Sequence, residues 1–141
     1  MIRSIGLERM YYIIDTHALI WFLEGNPRLG IAAEQVLSNS QSRLILPAIA
    51  LAEAIFIVER GKTSIPTVTD LLSAVNEDSR IVVYPLDLDI IKLTHTLLVI
   101  NEMHDRQIVA TAIFLANRGE EVTVLTCDRN ITAAGVVSIT W

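Results

Sequence analysis

Short, almost wholly aliphatic runs alternate with helix-patterned segments along this chain, and few folds accommodate that order. The runs predicted as strands span residues 11–14, 43–46, 80–84, 122–126 and 136–140. The segments predicted as helices span residues 16–23, 29–38, 47–60, 66–77 and 105–117, with another from a cap at Asp87 or Asp89 to residue 99. Strands without polar alternation, separated by helices, are typical of a parallel sheet covered on both faces. We therefore expect an α/β fold.

The composition fits one well-packed domain. The chain has 141 residues, enough for a single domain, and shows no repeat, linker or low-complexity tract. With 52% hydrophobic and 19% charged residues, it is too apolar for a disordered chain. A sheet buried on both sides, an oligomer interface, or both would explain the apolar excess.

Cysteine content and charge indicate the compartment and limit the partners. Cys127 is the only cysteine, which excludes an internal disulfide framework and fits a reducing cytoplasm. No secretory signal is apparent in the first ten residues, and no segment is predicted to span a membrane. The net charge of −5 argues against broad coating of nucleic acid. It does not exclude a nuclease, because bound cations are not counted. We expect a soluble, cytoplasmic protein.

Four acidic residues stand in otherwise apolar surroundings. Asp15 and Asp128 each follow a predicted strand, Glu53 lies within a helix, and Asp105 begins one. In parallel α/β folds, ligands collect at the carboxyl ends of the strands, where Asp15 and Asp128 are expected. Glu53 and Asp105 reach the same edge if their helices pack beside it. Carboxylates near a core are costly unless something compensates their charge, and oxygen ligands suit Mg²⁺ or Mn²⁺.

Each acid also has a plainer explanation. Asp15 and Asp105 are suited to capping the helices that follow them, and Asp128 to an ordinary polar turn. Glu53 is the hardest to explain in this way, because residues 50–52 and 54–57 around it are all apolar. Its alternative is a carboxylate that reaches solvent or pairs with an arginine elsewhere.

Other polar residues give weaker evidence of a functional site. His17 is better explained as a local hydrogen-bonding group than as a metal ligand. His95 and His104 have no ligand spacing to each other or to Cys127, so a structural zinc site is not expected. We predict that Cys127 is a small buried hydrophobic residue. The glycines form neither a phosphate-binding loop nor a dinucleotide fingerprint, and no serine elbow is present.

Four segments resemble, in order, the motifs of a PIN domain, and specifically those of the VapC-type toxins of bacterial toxin–antitoxin pairs. The segments are YYIIDTHALIWFLEGNPRLG at 11–30, LPAIALAEAIFIVERGKTSI at 46–65, HDRQIVATAIFLANRG at 104–119 and VTVLTCDRNI at 122–131. The resemblance covers residues 10–141, which we expect to form a single PIN domain. Residues 1–9 lie outside it as an N-terminal extension, explained by an upstream initiation codon or by disordered sequence.

The resemblance implies a fold and a set of site residues. The implied fold is three-layer α/β/α with a central, mainly parallel sheet of about five strands. Asp15, Glu53, Asp105 and Asp128 match the four acidic positions of the family's active site, which holds one or two Mg²⁺ or Mn²⁺ ions. The three aspartates are expected to bind metal directly or through water, and Glu53 to complete the site or orient the nucleophile. Thr126 matches the family threonine that supports a carboxylate or water by hydrogen bond.

The resemblance also implies an activity and partners. Similar proteins are Mg²⁺- or Mn²⁺-dependent endoribonucleases that form homodimers, and a small cognate antitoxin inhibits them by occupying the acidic pocket. RNA is then the substrate, and Arg28, Lys62 and Arg106 are candidate phosphate contacts or ordinary surface charges.

Two other functions remain open from the sequence. A noncatalytic PIN-like module that binds RNA or assists assembly would share the fold, although it would have no chemical reason to keep all four acids. A phosphatase or phosphoacceptor domain would also use a strand-end aspartate with Mg²⁺. In this chain, however, Asp15 is followed by Thr16 and His17 rather than by a second aspartate, and no lysine follows a later strand.

Overall fold

The computed structural model describes residues 9–141. Its strands are β1 (Met10–Ile14), β2 (Arg43–Pro47), β3 (Ile81–Tyr84), β4 (Glu121–Leu125) and β5 (Ile139–Thr140). The helices of the same range are α1 (Thr16–Glu24), α2 (Ile31–Ser38), α3 (Ala48–Glu59), α4 (Val68–Glu77), α5 (Leu88–Thr94), α6 (Met103–Asn117) and α7 (Arg129–Ala134). The predicted extension over residues 1–9 lies, apart from Arg9, outside the described residues.

The five strands form one parallel sheet in the order β3-β2-β1-β4-β5. β1 is central, and its Ile13 lies opposite Ile45 of β2 and Val124 of β4. Neighbouring parallel strands need crossover connections, and here those connections carry the helices that cover both faces. The predicted three-layer α/β/α fold is confirmed, with a sheet that is wholly rather than mainly parallel.

The aliphatic runs of the sequence fill two hydrophobic cores. The larger one packs fully buried strand residues such as Ile13 and Leu46 mainly against α1 to α4. The smaller one joins α5, α6 and α7 through Ile90, Val109 and Ile131. Because both faces of the central strands are buried, these strands lack the polar alternation of a one-sided sheet.

Two element boundaries near the acidic residues differ from the sequence prediction. α6 begins at Met103 and is capped by Glu102, whose carboxylate accepts a hydrogen bond from the backbone N–H of Asp105 at 2.9 Å. Asp105 therefore lies inside the first turn, and its predicted place at the start of the helix is wrong. After β4, the predicted polar turn at Asp128 is instead the N-cap of α7, a helix that the sequence analysis did not predict.

Three further details correct or limit the sequence analysis. α5 ends at Thr94 rather than near residue 99, because the chain from there on forms successive turns. Cys127 is exposed, contrary to prediction, because it lies in the loop between β4 and α7. Over residues 9–141, none of the helices has the length and apolar character that crossing a bilayer demands.

Candidate active site

Asp15 is the most deeply placed of the four acids. It follows β1, is only 8% exposed, and also caps α1 by accepting a hydrogen bond from the Thr16 N–H at 2.7 Å. β1 and β4 pair in parallel to their ends, which brings Thr126 beside Asp15. The Thr126 hydroxyl donates to Asp15 Oδ2 at 2.5 Å. Burial raises the pKa of Asp15, and the hydrogen bonds from Thr126 and Thr16 oppose that rise.

Glu53 reaches the same edge from α3. Its Oε1 accepts a hydrogen bond from the Thr16 hydroxyl at 3.0 Å, so α1 and α3 are linked directly beside Asp15. Its Oε2 lies 3.2 Å from His104 Nδ1, and the same nitrogen lies 3.2 Å from Glu102 Oε1. Burial is the largest cause that raises the pKa of Glu53, and the nearby charge of Asp15 adds to it. The Glu53 side chain remains 30% exposed, in line with the solvent-reaching alternative, and it lies against His104 rather than an arginine.

The charges of four neighbouring acids all act on Asp105. Its pKa is raised to about 7, first by burial and then by the negative charges of Asp128, Asp15, Glu102 and Glu53. A helix N-terminus normally favours an ionised carboxylate, so desolvation and repulsion outweigh the dipole of α6 here. The four predicted acids thus share one electrostatic environment, and Glu102 is a fifth member of it.

Asp128 is held rigidly at the end of β4. Its Oδ1 accepts hydrogen bonds from the backbone N–H groups of Asn130 and Ile131, at 2.8 and 3.0 Å. Its own N–H donates to the Thr126 hydroxyl at 3.0 Å. That hydroxyl therefore contacts the carboxylate of Asp15 and the backbone of Asp128 at once, and it links the chain after β1 to the chain after β4.

Glu102 and Thr16 belong to this network, and the sequence analysis did not select either. Glu102 is the N-cap of α6, but glutamate is not among the residues preferred at that position, so the sequence gives no local signal for it. Thr16 directly follows the strand-end aspartate, but its contact with Glu53 joins residues 37 positions apart. No local pattern predicts that contact.

The chemistry of the site fits a hard divalent cation. In residues 9–141, no three His, Cys, Asp or Glu side chains are grouped tightly enough to hold a metal ion as they stand. The carboxylates nevertheless raise one another's pKa across the site, which is the free-energy cost of uncompensated negative charge. A cation would remove that cost, and carboxylate oxygens are the ligands that Mg²⁺ and Mn²⁺ prefer.

Two depressions adjoin the acids. A small cavity of about 150 Å³ contacts Asp15 and Asp128 and is walled by His17, Trp21 and Trp141. A larger groove of about 620 Å³ begins at Glu53 and follows α3; we call it the α3 groove. Its lining includes Ala52, Glu53, Phe56, Arg60, Lys62 and His104.

The candidate phosphate contacts from the sequence occupy different places. Lys62 lines the α3 groove, and the guanidinium carbon of Arg28 lies 5.9 Å from the centre of the Trp21 ring system. Arg106 donates from Nε to the backbone carbonyl of Ile100, so one of its donors serves the fold. Of these three residues, Lys62 is the one that lines a depression beside the acids.

The chain belongs to the PIN domain family, whose model matches residues 12–136. The resemblance noted in the sequence is thereby confirmed at the level of the family. Searching curated proteins gives no match to this chain.

Two solved structures are similar in fold. VapC20 of Mycobacterium tuberculosis, described as a sarcin-ricin loop cleaving toxin, has a TM-score of 0.65 and 16% identity, over 92% of this chain and 99% of that chain. FitAcB from Neisseria gonorrhoeae has a TM-score of 0.60 and 20% identity, over 91% of this chain and 95% of that chain.

Proposed function

We propose that this protein is a Mg²⁺- or Mn²⁺-dependent endoribonuclease and the toxin component of a toxin–antitoxin pair. The observation that carries the proposal is the shared electrostatic environment of Asp15, Glu53, Asp105 and Asp128, which raises the pKa of Asp105 to about 7. Membership of the PIN domain family and similarity in fold to a toxin that cleaves RNA support it. RNA is the proposed substrate.

The contacts of the acids support the roles that we propose for them. Asp15, Asp105 and Asp128 would hold one or two divalent cations, which supply charge neutralisation at the phosphoryl oxygens and an activated water. Thr126 orients Asp15 and Asp128 through its hydroxyl, at 2.5 and 3.0 Å. Glu53, fixed by Thr16 and His104, is placed to complete the site or to orient the attacking water.

Cleavage of total cellular RNA by the purified protein tests the proposal. We expect cleavage with Mg²⁺ or Mn²⁺, none with EDTA, and none for Asp15→Asn or Asp105→Asn proteins that remain folded. Asp89→Asn is the matched control, because Asp89 is an exposed acid in the first turn of α5. Full activity in either site variant would refute the assignment.

The noncatalytic alternative predicts a different outcome of the same experiment. An RNA-binding or assembly module would bind RNA and never cleave it, whichever cation is added. Unchanged binding without cleavage would therefore favour that reading over a nuclease. No described contact gives it independent support.

A small cognate antitoxin is the proposed regulatory partner, and the cytoplasm is the proposed place of action. A protein that presents several close carboxylates attracts a basic side chain, so the inhibitor is expected to insert one among them. The neighbouring reading frame is the test. We expect a small upstream gene with a DNA-binding N-terminus and a tail that carries aromatic residues and arginine.

A homodimer is the proposed assembly. β3 is an edge strand, and Val82 and Val83 on it are exposed, as is Leu72 on the adjacent part of α4. An apolar edge is normally covered by another chain or blunted by charge. Light scattering should give twice the monomer mass, and Val82→Lys should shift it toward the monomer. A monomeric parent protein would contradict the assembly.

A further inference from the structure

The α3 groove extends from Glu53, one of the proposed catalytic acids, to Phe56, the aromatic residue of α3. Phe56 lies one turn after Glu53 on the same face of the helix, and its side chain is 57% exposed. Ile49 and Ile57 line the groove together with Phe56, and a continuous apolar lining beside an active site is a feature of binding sites.

The far end of the same groove is positively charged. Arg60 and Lys62 are both exposed and both line it, in a chain whose net charge is −5. Arg60 lies seven positions after Glu53 along α3 and its C-cap, a rise of about 10 Å. The groove therefore extends from one carboxylate of the site, Glu53, to a pair of cations over roughly two helical turns.

The backbone fixes this charged end. Gly61 has a φ of 65°, the left-handed conformation that favours glycine, and it reverses the chain after α3. The Lys62 N–H then donates to the Ile57 carbonyl at 3.1 Å, which returns Lys62 to the groove beside Arg60. The Arg60 guanidinium carbon lies 4.9 Å from the centre of the Phe56 ring. Ring and cations thus form one surface.

We propose that the α3 groove is a substrate subsite that binds a nucleotide flanking the cleaved bond of single-stranded RNA. Phe56 stacks on its base, and Arg60 and Lys62 contact its backbone phosphates. This combination of an aromatic platform with a basic track is how proteins bind single strands without reading their sequence. The subsite rests on the proposed function, because it places the strand so that the adjoining phosphate meets the catalytic acids.

Charge favours RNA over the other plausible occupant, an apolar segment of a protein. An apolar helix would gain from Phe56 and its neighbours but would have no general use for two cations at one end. A strand that passes the acids must carry its next phosphates away from them, and Arg60 and Lys62 compensate those charges. The two occupants differ in what they predict for RNA binding.

Fluorescence anisotropy of a short, labelled single-stranded RNA of mixed sequence provides the test, on the Asp105→Asn protein in EDTA so that cleavage does not interfere. Phe56→Leu, which keeps an apolar side chain, should weaken binding about five- to hundredfold, the usual effect of losing one stacked base. Phe56→Trp should restore it. An RNA that carries 2-aminopurine should lose its binding-induced quenching in Phe56→Leu.

The charged residues are tested by salt dependence. Arg60→Gln and Lys62→Gln should each reduce the slope of log affinity against log salt by about 0.7, the value for one lost phosphate contact on a single strand. Arg118→Gln is the matched control. Arg118 lies over Phe114 of α6 at 4.5 Å, in the same four-residue spacing, but does not line the groove. It should leave the slope unchanged.

Two results would overturn the subsite: unchanged RNA affinity in Phe56→Leu, or equal effects of Arg60→Gln and Arg118→Gln. Either would leave the α3 groove to a protein segment. The outcome is separable from that of the proposed function. If the protein cleaves RNA but its RNA affinity does not depend on Phe56, only the subsite is refuted. If its RNA affinity depends on Phe56 but it does not cleave RNA, only the proposed hydrolysis is refuted.

Discussion

The folded protein disfavours the ionised form of the Asp105 carboxyl group. Its pKa is raised from 3.8 to about 7 by burial and by the neighbouring acids. In the unfolded chain those neighbours are dispersed and the ordinary value returns. Between about pH 4 and pH 7, the folded state therefore binds more protons than the unfolded state, and the free energy of unfolding falls as the pH rises.

Replacing Asp105 should consequently stabilise the metal-free protein at high pH. Asp105→Asn removes the repelling charge, so we expect a higher melting temperature at pH 8 in EDTA and little change at pH 4, where Asp105 is protonated. Thermal unfolding followed by circular dichroism measures this. Asp89→Asn, which removes an exposed carboxylate of α5, should not raise the melting temperature at pH 8 relative to that at pH 4. A lower melting temperature for Asp105→Asn at pH 8 would contradict the electrostatic account.

The Thr126 hydroxyl supports both of the acids that follow strands. Its hydroxyl is buried and contacts both strand-end acids, so Thr126→Val keeps the shape and leaves Asp15 Oδ2 without its donor. We expect a loss of about 1–3 kcal/mol in the free energy of unfolding. Activity should fall further than stability explains, because Asp15 and Asp128 lose their common link.

Urea denaturation and RNA cleavage of the same preparation measure the two effects. Thr111→Val is the control: Thr111 is equally buried, but its hydroxyl bonds only to the Gln107 carbonyl within α6. It should cost stability without a selective loss of cleavage. If both variants lost stability and cleavage to the same extent, Thr126 would have only a structural role.

For single residues, the sequence predicted which acids lie at the site but not the polar contacts between them. Asp15 and Asp128 could be predicted at one edge because each directly follows an aliphatic run. Glu53 stood out because nothing around it was polar. The contacts of Thr16 with Glu53, and of His104 with both Glu53 and Glu102, depend on how α1, α3 and α6 pack together. Side chains that meet through tertiary packing leave no periodic signal in the chain.

α6 carries Asp105 in its first turn, so the cap of this helix determines where that carboxylate lies. Glu102→Ala removes the acceptor for the Asp105 N–H, and we expect a loss of about 0.5–2 kcal/mol in the free energy of unfolding, as for other N-caps. RNA cleavage should decrease with it, because a frayed first turn no longer holds Asp105 beside Asp15.

Asp87→Ala is the matched change, since Asp87 caps α5 by accepting from the Ile90 N–H at 3.1 Å. It should lower stability to a similar extent and leave cleavage per folded molecule unchanged. Denaturation and cleavage assays on both variants separate the two cases. Equal losses of cleavage would show that the cap of α6 matters only for folding.

The elements that the sequence predicted well are those with the strongest apolar patterns. β1, β2 and the body of α6 were predicted within two residues, because their buried faces dominate their composition. α7 was missed because it has only six residues and one fully buried side chain, Ile131. Its formation depends on the Asp128 cap, and that aspartate fits a turn equally well when neighbours are unknown.

For the whole molecule, cation binding should increase the free energy of unfolding. A cation that binds only the folded state raises its free energy of unfolding by RT ln(1 + [L]/Kd), about 2.7 kcal/mol at one hundred times Kd. Mg²⁺ and protons compete for Asp105, so we expect Mg²⁺ to raise the melting temperature more at pH 8 than at pH 5. Differential scanning calorimetry in Mg²⁺ and in EDTA measures this.

The double variant Asp15→Asn/Asp105→Asn should lose that response while remaining folded. Asp89→Asn should keep it. An equal rise in melting temperature at both pH values, or the same response in the double variant, would place the cation elsewhere. This measurement requires no RNA substrate.

The pairing of β1 with β4 has a consequence for how the protein is made. Asp15 is synthesised early, whereas its hydrogen-bond partner Thr126 lies 111 positions later in the chain. Chains emerge from the ribosome N-terminus first, and contacts between distant segments form late. The acids can act together only after β4 has been translated and has inserted beside β1. Under the proposed function, an incomplete chain would therefore be unable to cleave the RNA that surrounds it during its own synthesis.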